Sequence, residues 1–233
     1  EGKAYYCYCT PEELQEMREE AARKGEMPRY NGHCRNLSPE EEEEYIKAGR
    51  KPVIRFKIPG QEQEIVLNDL IRGEIKFSPD VLDDFIIFKS DGMPTYNFAV
   101  VIDDALMKIS QVIRGEDHIS NTPKQILLYK ALGFPVPEFA HLPLILDENR
   151  AKLKKRSDSD AIYVGEFRQK GYLPEALFNF LSLVGWSSKD EQEIMSREEI
   201  ISLFDIADVN KSSAVFDVEK LNWMNGKYIR EAD

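Results

Sequence analysis

Polar and apolar positions change their period twice along the chain. From Thr10 the pattern is helical: Thr10-Pro11-Glu12-Glu13 is a capping box with proline in the first turn, and Gly25 is placed to stop the helix. Ser38-Pro39-Glu40-Glu41 repeats the device before a second, acidic helix that ends near Gly49. From Lys51 the period becomes two. Val53-Ile54-Arg55-Phe56-Lys57-Ile58 alternates, and Ile65-Val66-Leu67 and Ile75-Lys76-Phe77 are further short strands set off by Pro59-Gly60 and Arg72-Gly73. After the turn Asp91-Gly92-Met93-Pro94 the pattern predicts strands at 97–102 and 108–113, a helix at 123–132 and a strand at 139–146. That helix carries a capping box at Thr122-Pro123-Lys124-Gln125 and a stop at Gly133. From 161 the pattern is helical, with a helix at 174–184 stopped by Gly185 and another opened by Ser196-Arg197-Glu198-Glu199.

Three segments follow. Residues 1–90 form an α+β unit, 91–150 half of a parallel α/β sheet in which strands alternate with a helix, and 151–233 a helical region. A 42% hydrophobic content supports a buried core. No run of 18 apolar residues offers a membrane span and Glu1-Gly2-Lys3 shows no signal-peptide core, so a soluble, cytoplasmic protein is expected. The net charge of -11 makes overall attraction to nucleic acid a poor expectation and confines any RNA contact to local basic patches. The run Glu40 to Glu44 is a solvated helix face.

Four places could carry chemistry. Lys152-Leu153-Lys154-Lys155-Arg156 sets four cations in five residues, either to hold a polyphosphate or as a solvated basic loop. Arg114-Gly115-Glu116-Asp117-His118 lies at the carboxyl end of a predicted strand, where open α/β sheets place ligand groups. Arg114 could grip a carboxylate bidentately and Asp117 accept from a hydroxyl, with structural ion pairing as the rival reading. Tyr96, just after the 91–94 turn, could donate to a substrate carboxylate or be a core tyrosine. Cys7, Cys9 and Cys34 offer three thiolates, and a tetrahedral zinc site needs a fourth ligand, for which Tyr30 and His33 are near in sequence; free reduced cysteines are the alternative. His118 and His141 have no Ser or Cys partner at a triad spacing, which leaves a hydrolase unsupported.

These stretches, with Asp91-Gly92-Met93-Pro94-Thr95-Tyr96-Asn97-Phe98, Val112 through His118, Gly171-Tyr172-Leu173-Pro174-Glu175-Ala176-Leu177 and Gly185-Trp186-Ser187, closely resemble bacterial glutamyl-tRNA synthetases. Those are class I aminoacyl-tRNA synthetases with a Rossmann catalytic domain, and the match runs over nearly the whole chain. The resemblance implies an ATP-dependent ligase that uses Mg2+ to turn L-glutamate into glutamyl-adenylate and passes the acyl group to the 3′ end of tRNA. It implies that Tyr96, Val100 and Arg114 bind glutamate, and that Asp117, the backbone near Ile145, and Lys155 meet ATP. Lys152, Lys155 and Arg156 belong to the family's second signature, in which Lys154 stands where Ser is usual. Residues 1–90 correspond to the connective insertion that meets the tRNA acceptor end, with Cys7, Cys9, Tyr30 and Cys34 as its zinc ligands if zinc is held. Residues 151–233 correspond to the signature loop and a helical stem-contact region.

The family's first signature, His-x-Gly-His, is absent from these residues. The chain is therefore expected to be an internal fragment, inactive by itself, of a parent that works as a monomer. Two other readings stand beside this one: a glutamyl-queuosine tRNA synthetase, against which the 24 residues between Cys9 and Cys34 count, and a non-catalytic tRNA acceptor-binding module, which Lys154 favours.

Overall fold

The computed structural model describes residues 2–59, 64–78, 82–153 and 163–232. They divide into two units, one made of Glu1–Leu67, Glu74–Ser110 and Ser120–Pro137, the other of Asn68–Gly73, Gln111–Ile119 and Glu138–Asp233.

In the first unit, strand β1 (Ala4–Cys7) leads into helices α1 (Pro11–Arg23) and α2 (Pro39–Lys47). Both helices start through the boxes visible in the sequence: Thr10 and Ser38 accept from the backbone N–H of Glu13 and Glu41, whose carboxylates accept from the cap N–H in return. Strands β2 (Val53–Phe56), β3 (Ile65–Asp69), β4 (Gly73–Phe77) and β5 (Ile86–Phe88) follow, the end of β3 and the first residue of β4 belonging to the second unit, and β2 lies between β1 and β5 in an antiparallel sheet. Cys7 stands opposite Val53 in that sheet.

Residues 97–102, expected as a strand, belong instead to helix α3 (Tyr96–Leu106). A short apolar run does not disclose its own period, and here the inward positions fall four apart. Asn97 accepts from Gln125 of helix α4 (Thr122–Leu132) at 3.0 Å, and Val101 is fully buried. The capping box expected at Thr122 does not form, because Thr122 is already inside the helix and buried; the cap is Asn121, with no side-chain cap bond. Gly133 ends α4 as expected, in the left-handed conformation that favours glycine.

In the second unit, β6 (Gln111–Gly115) and β7 (Glu138–Leu142) run parallel, with Arg114 beside His141. The mixed α/β class with parallel strands is thus the observed one. Phe139, Ala140 and His141 are all buried, so β7 is covered on both faces, as parallel strands usually are. The strand expected over 139–146 breaks at Pro143, which has no N–H to give, and resumes as β8 (Ile145–Leu146), parallel to β9 (Ala214–Val215). Helices α5 (Val164–Gln169), α6 (Pro174–Leu183), α7 (Arg197–Leu203) and α8 (Val218–Glu231) complete the unit. Ala140 packs with Ile71, Trp186, Met195, Ile200 and Val209, while Leu177 and Phe180 of α6 meet Leu221 and Met224 of α8. The larger aliphatic and aromatic side chains among these each contribute about 1.5–3 kcal/mol on burial, which anchors β7.

Candidate active site and metal centre

In the first unit the end of β1, the turn before α1 and the 30–35 loop bring three sulfurs together. The ligand atoms of Cys7, Cys9 and Cys34 lie within 4.8 Å of one another. Cys9 and Cys34 sulfurs are 3.6 Å apart, and the Tyr30 hydroxyl is 3.5 Å from the Cys7 sulfur. Tetrahedral zinc with bonds of about 2.3 Å to sulfur and about 2.0 Å to oxygen sets sulfurs about 3.8 Å apart and sulfur from oxygen about 3.5 Å. The Cys9–Cys34 and Cys7–Tyr30 separations match that ion. Hydrogen bonds from Cys34 and then Cys9 hold the Cys7 thiol far below its ordinary range against the effect of burial, while the bonds Cys9 makes to Cys34 and Cys7 push its own thiol up. A dication would end this competition by displacing the protons and holding all three sulfurs as thiolates. His33, the other candidate, is engaged elsewhere, its Nε2 lying 3.1 Å from the Tyr45 hydroxyl.

The loop bearing Tyr30 and Cys34 is fastened independently of any ion. Arg35 donates to both oxygens of buried Asp84, at 2.6 and 2.7 Å, and to the Ile58 carbonyl at 2.8 Å. Tyr5 also donates to Asp84, and the guanidinium of Arg55 lies 3.7 Å over the Tyr30 ring.

In the second unit, the end of β6 gathers a polar network. His141 donates from Nδ1 to Asp69 Oδ2 at 2.6 Å, and Arg114 Nε donates to His141 Nε2 at 3.1 Å. A guanidinium has no acceptor and keeps its protons, so these partners assign the imidazole as neutral with its hydrogen on Nδ1. Burial depresses the His141 pKa, helped by the charges of Arg114 and Arg72 and opposed by Asp69. Burial alone would raise the Asp69 pKa, but the N–H of Arg72, the ring of His141 and the N–H groups of Ile71 and His141 more than offset this and hold it low. The Arg114 guanidinium also lies 5.4 Å from the Phe139 ring centre and 3.5 Å from the His118 carbonyl oxygen. Arg72 Nε donates to the His141 carbonyl, and its Nη2 stands 2.5 Å from Glu116 Oε2 as a charge contact whose N–H is not aimed along it.

One turn further on, Lys152 Nζ lies 2.6 Å from Asp117 Oδ2, and that hydrogen bond holds the Asp117 carboxyl below the usual carboxylate range. Lys152 is delivered by a turn in which Asp147 accepts from the N–H of Asn149 and Ala151, and by the Leu153 N–H bonding the Ile145 carbonyl. Glycine at 115 leaves Asp117 room to reach Lys152, since a Cβ at that position would stand 2.6 Å from Asp117 Oδ1.

Arg114, Asp117, Ile145 and Lys152 therefore share the second unit. Tyr96 and Val100 lie in the first, four residues apart on one face of α3, with Tyr96 exposed. Lys154, Lys155 and Arg156 fall outside the described residues. Asp69 is not among the sequence candidates, and His141 enters there only as a histidine without a triad partner. The only signal for them was a histidine inside an otherwise apolar stretch, whose partner is 72 residues away.

The model of the family described as tRNA synthetases class I (E and Q), catalytic domain, matches residues 1–223. The chain belongs to that family. Among members of this synthetase family, the glutamate-tRNA ligase of Natranaerobius thermophilus is 60% identical over 232 residues, covering 100% of this chain and 47% of the relative. That of Aquifex aeolicus is 60% identical over 231 residues, 99% of this chain and 48% of the relative. A crystal structure of a glutamate tRNA ligase from Elizabethkingia meningosepticum, in complex with its amino acid, superposes with a TM-score of 0.84 at 40% identity over 98% of this chain and 50% of that one. The synthetase chain is thus Rossmann-like in its catalytic fold, and it spans about half the length of the curated relatives it matches.

Proposed function

We propose that the protein carrying this chain is a glutamate-tRNA ligase that activates L-glutamate with ATP and transfers it to the 3′ end of tRNA. In the first step a glutamate α-carboxylate oxygen attacks the α-phosphorus and pyrophosphate leaves; in the second a hydroxyl of the terminal adenosine takes the acyl group and AMP leaves. Magnesium on the triphosphate would draw charge from the leaving pyrophosphate. Tyr96, Val100 and Arg114 hold the glutamate. Asp117, the backbone near Ile145, and Lys155 meet the nucleotide, and Lys152, Lys155 and Arg156 stabilise charge on the transferring phosphate.

The observation that carries this reading is Arg114 at the carboxyl end of a parallel strand, its guanidinium oriented by His141 and Phe139, with Asp117 and Lys152 paired just beyond it. A planar fork fixed in this way suits a carboxylate ligand. Residues 1–90 are the insertion that meets the acceptor end, 91–150 the second half of the catalytic sheet, and 151–233 the signature loop and stem contact. Cys7, Cys9, Tyr30 and Cys34 hold one structural zinc, supported by the spacing of their ligand atoms.

The test is to offer the full-length protein ATP, Mg2+, tRNA and each amino acid in turn. An ester formed with glutamate, stable to acid and cleaved by mild alkali, is the expected product. Charging of another amino acid in preference, or of none, overturns the reading.

A further inference from the structure

We propose that Asp69 and His141 are positioning residues for glutamate recognition, acting through Arg114 by a relay from carboxylate to imidazole to guanidinium. This rests on the reading of Arg114 as the carboxylate grip.

The geometry specifies the relay closely. Asp69 is itself immobilised: Oδ1 accepts from the N–H of Ile71 and Arg72, and Oδ2 from the N–H of His141 as well as its ring. His141 has no exposed surface and sits on a strand covered on both sides, so its ring cannot turn away. Parallel register places it beside Arg114, and the Phe139 ring stacks near the imidazole at 6.1 Å. With Asp69 fixing the hydrogen on Nδ1, Nε2 can only accept, and the acceptor meets the single N–H on Arg114 Nε. The guanidinium plane is thereby set by a neutral group. A carboxylate in the same place would bring a negative charge against the one the substrate carries, whereas imidazole orients without competing.

The chemistry also dictates the critical variant. In Asp69→Asn, Oδ1 keeps its bonds to Ile71 and Arg72, but an amide N–H replaces the acceptor facing Nδ1. The ring must then carry its hydrogen on Nε2, donor against donor with Arg114. The His141 backbone N–H also loses Oδ2 as an acceptor and keeps only its 3.3 Å bond to Oδ1, while volume and shape are unchanged and the direction of the relay is reversed.

The experiment uses the full-length protein and measures KM for glutamate and for ATP separately, for the wild type, Asp69→Asn, His141→Gln, His141→Asn and Arg114→Ala. Asparagine at 141 reaches Asp69 but not Arg114, and glutamine carries an acceptor out to the Nε2 position. The relay predicts that Asp69→Asn and His141→Asn raise the glutamate KM about 10- to 100-fold, that His141→Gln recovers most of that loss, and that the ATP KM stays within about twofold throughout. Nitrogen NMR of the imidazole should report Nδ1 protonation in the wild type and Nε2 protonation in Asp69→Asn. Glutamate KM unmoved in Asp69→Asn and His141→Asn while Arg114→Ala raises it overturns the relay alone. Glutamate KM unmoved in Arg114→Ala overturns the reading of the site, and the relay with it. Should Asp69→Asn fail to fold, the contrast between asparagine and glutamine at 141 decides: equal KM effects from both overturn the relay.

Discussion

The Tyr30 hydroxyl stands 3.5 Å from the Cys7 sulfur and accepts the Cys34 N–H at 2.8 Å, which sets a phenol among three thiols. A phenol raised by burial and by its bond to Cys7 is a poor free acid, yet a dication would displace its proton as it displaces those of the cysteines. We therefore expect one zinc per chain by metal analysis of protein prepared without chelator. Tyr30→Phe should weaken zinc binding about 10- to 100-fold, comparable to the loss of other groups that tune a metal site, while leaving the 30–35 loop folded. Chain prepared with zinc present but holding none would contradict this.

That loop should stay folded because Arg35 and Asp84 fasten it. Asp84 is almost fully buried and Arg35 about one third exposed, at 4% and 30% of their side-chain surfaces. Removing one partner of a buried pair costs about 3–5 kcal/mol, and partial exposure of Arg35 reduces this. Asp84→Ala is expected to cost about 2–4 kcal/mol in chemical denaturation, with or without zinc. A loss that vanishes when zinc is supplied would place the stability in the metal instead.

Gly115→Ala separates local geometry from stability. The added methyl meets the far end of an exposed, flexible side chain, so Asp117 can swing away at little energetic expense and Tm should hold. What is lost is the Asp117–Lys152 contact. The expected outcome is a several-fold rise in the ATP KM with an unchanged glutamate KM; an unchanged ATP KM would detach Asp117 from the nucleotide.

How much of this was legible in sequence depends on how local each determinant is. The boxes at Thr10, Ser38 and Ser196 were readable because cap and return bond lie within four residues, and all three form. The helix at 96–106 was not, because Val100-Val101-Ile102 is equally apt for strand and helix until Asn97 finds Gln125. Arg114 was readable from its place at a strand end. The residues that aim it were not, because Asp69 and His141 meet only when Asp69 pairs with Phe139 inside the second unit.

Acid stability reports on the same pair. The folded His141 pKa is lowered from its usual 6.5 and the folded Asp69 pKa from its usual 3.8. For both, the unfolded chain binds protons first as pH falls, so their contribution is full above pH 6.5 and declines below it, His141 first and Asp69 further down. Asp69, Arg72 and Arg114 are the charged groups facing the ring. Tm should fall as pH drops below about 6.5, and His141→Gln should remove the upper part of that slope. A variant with the same slope as the wild type would show that another group titrates there.

The central claim is that Arg114 selects glutamate by its carboxylate, and the most direct measurement is kcat/KM for tRNA charging with glutamate by the full-length protein and its Arg114→Ala variant. The account predicts a fall of at least about 100-fold, the worth of a charged hydrogen-bonded pair, with ATP affinity preserved. Charging by Arg114→Ala at the wild-type rate and glutamate concentration dependence would contradict it.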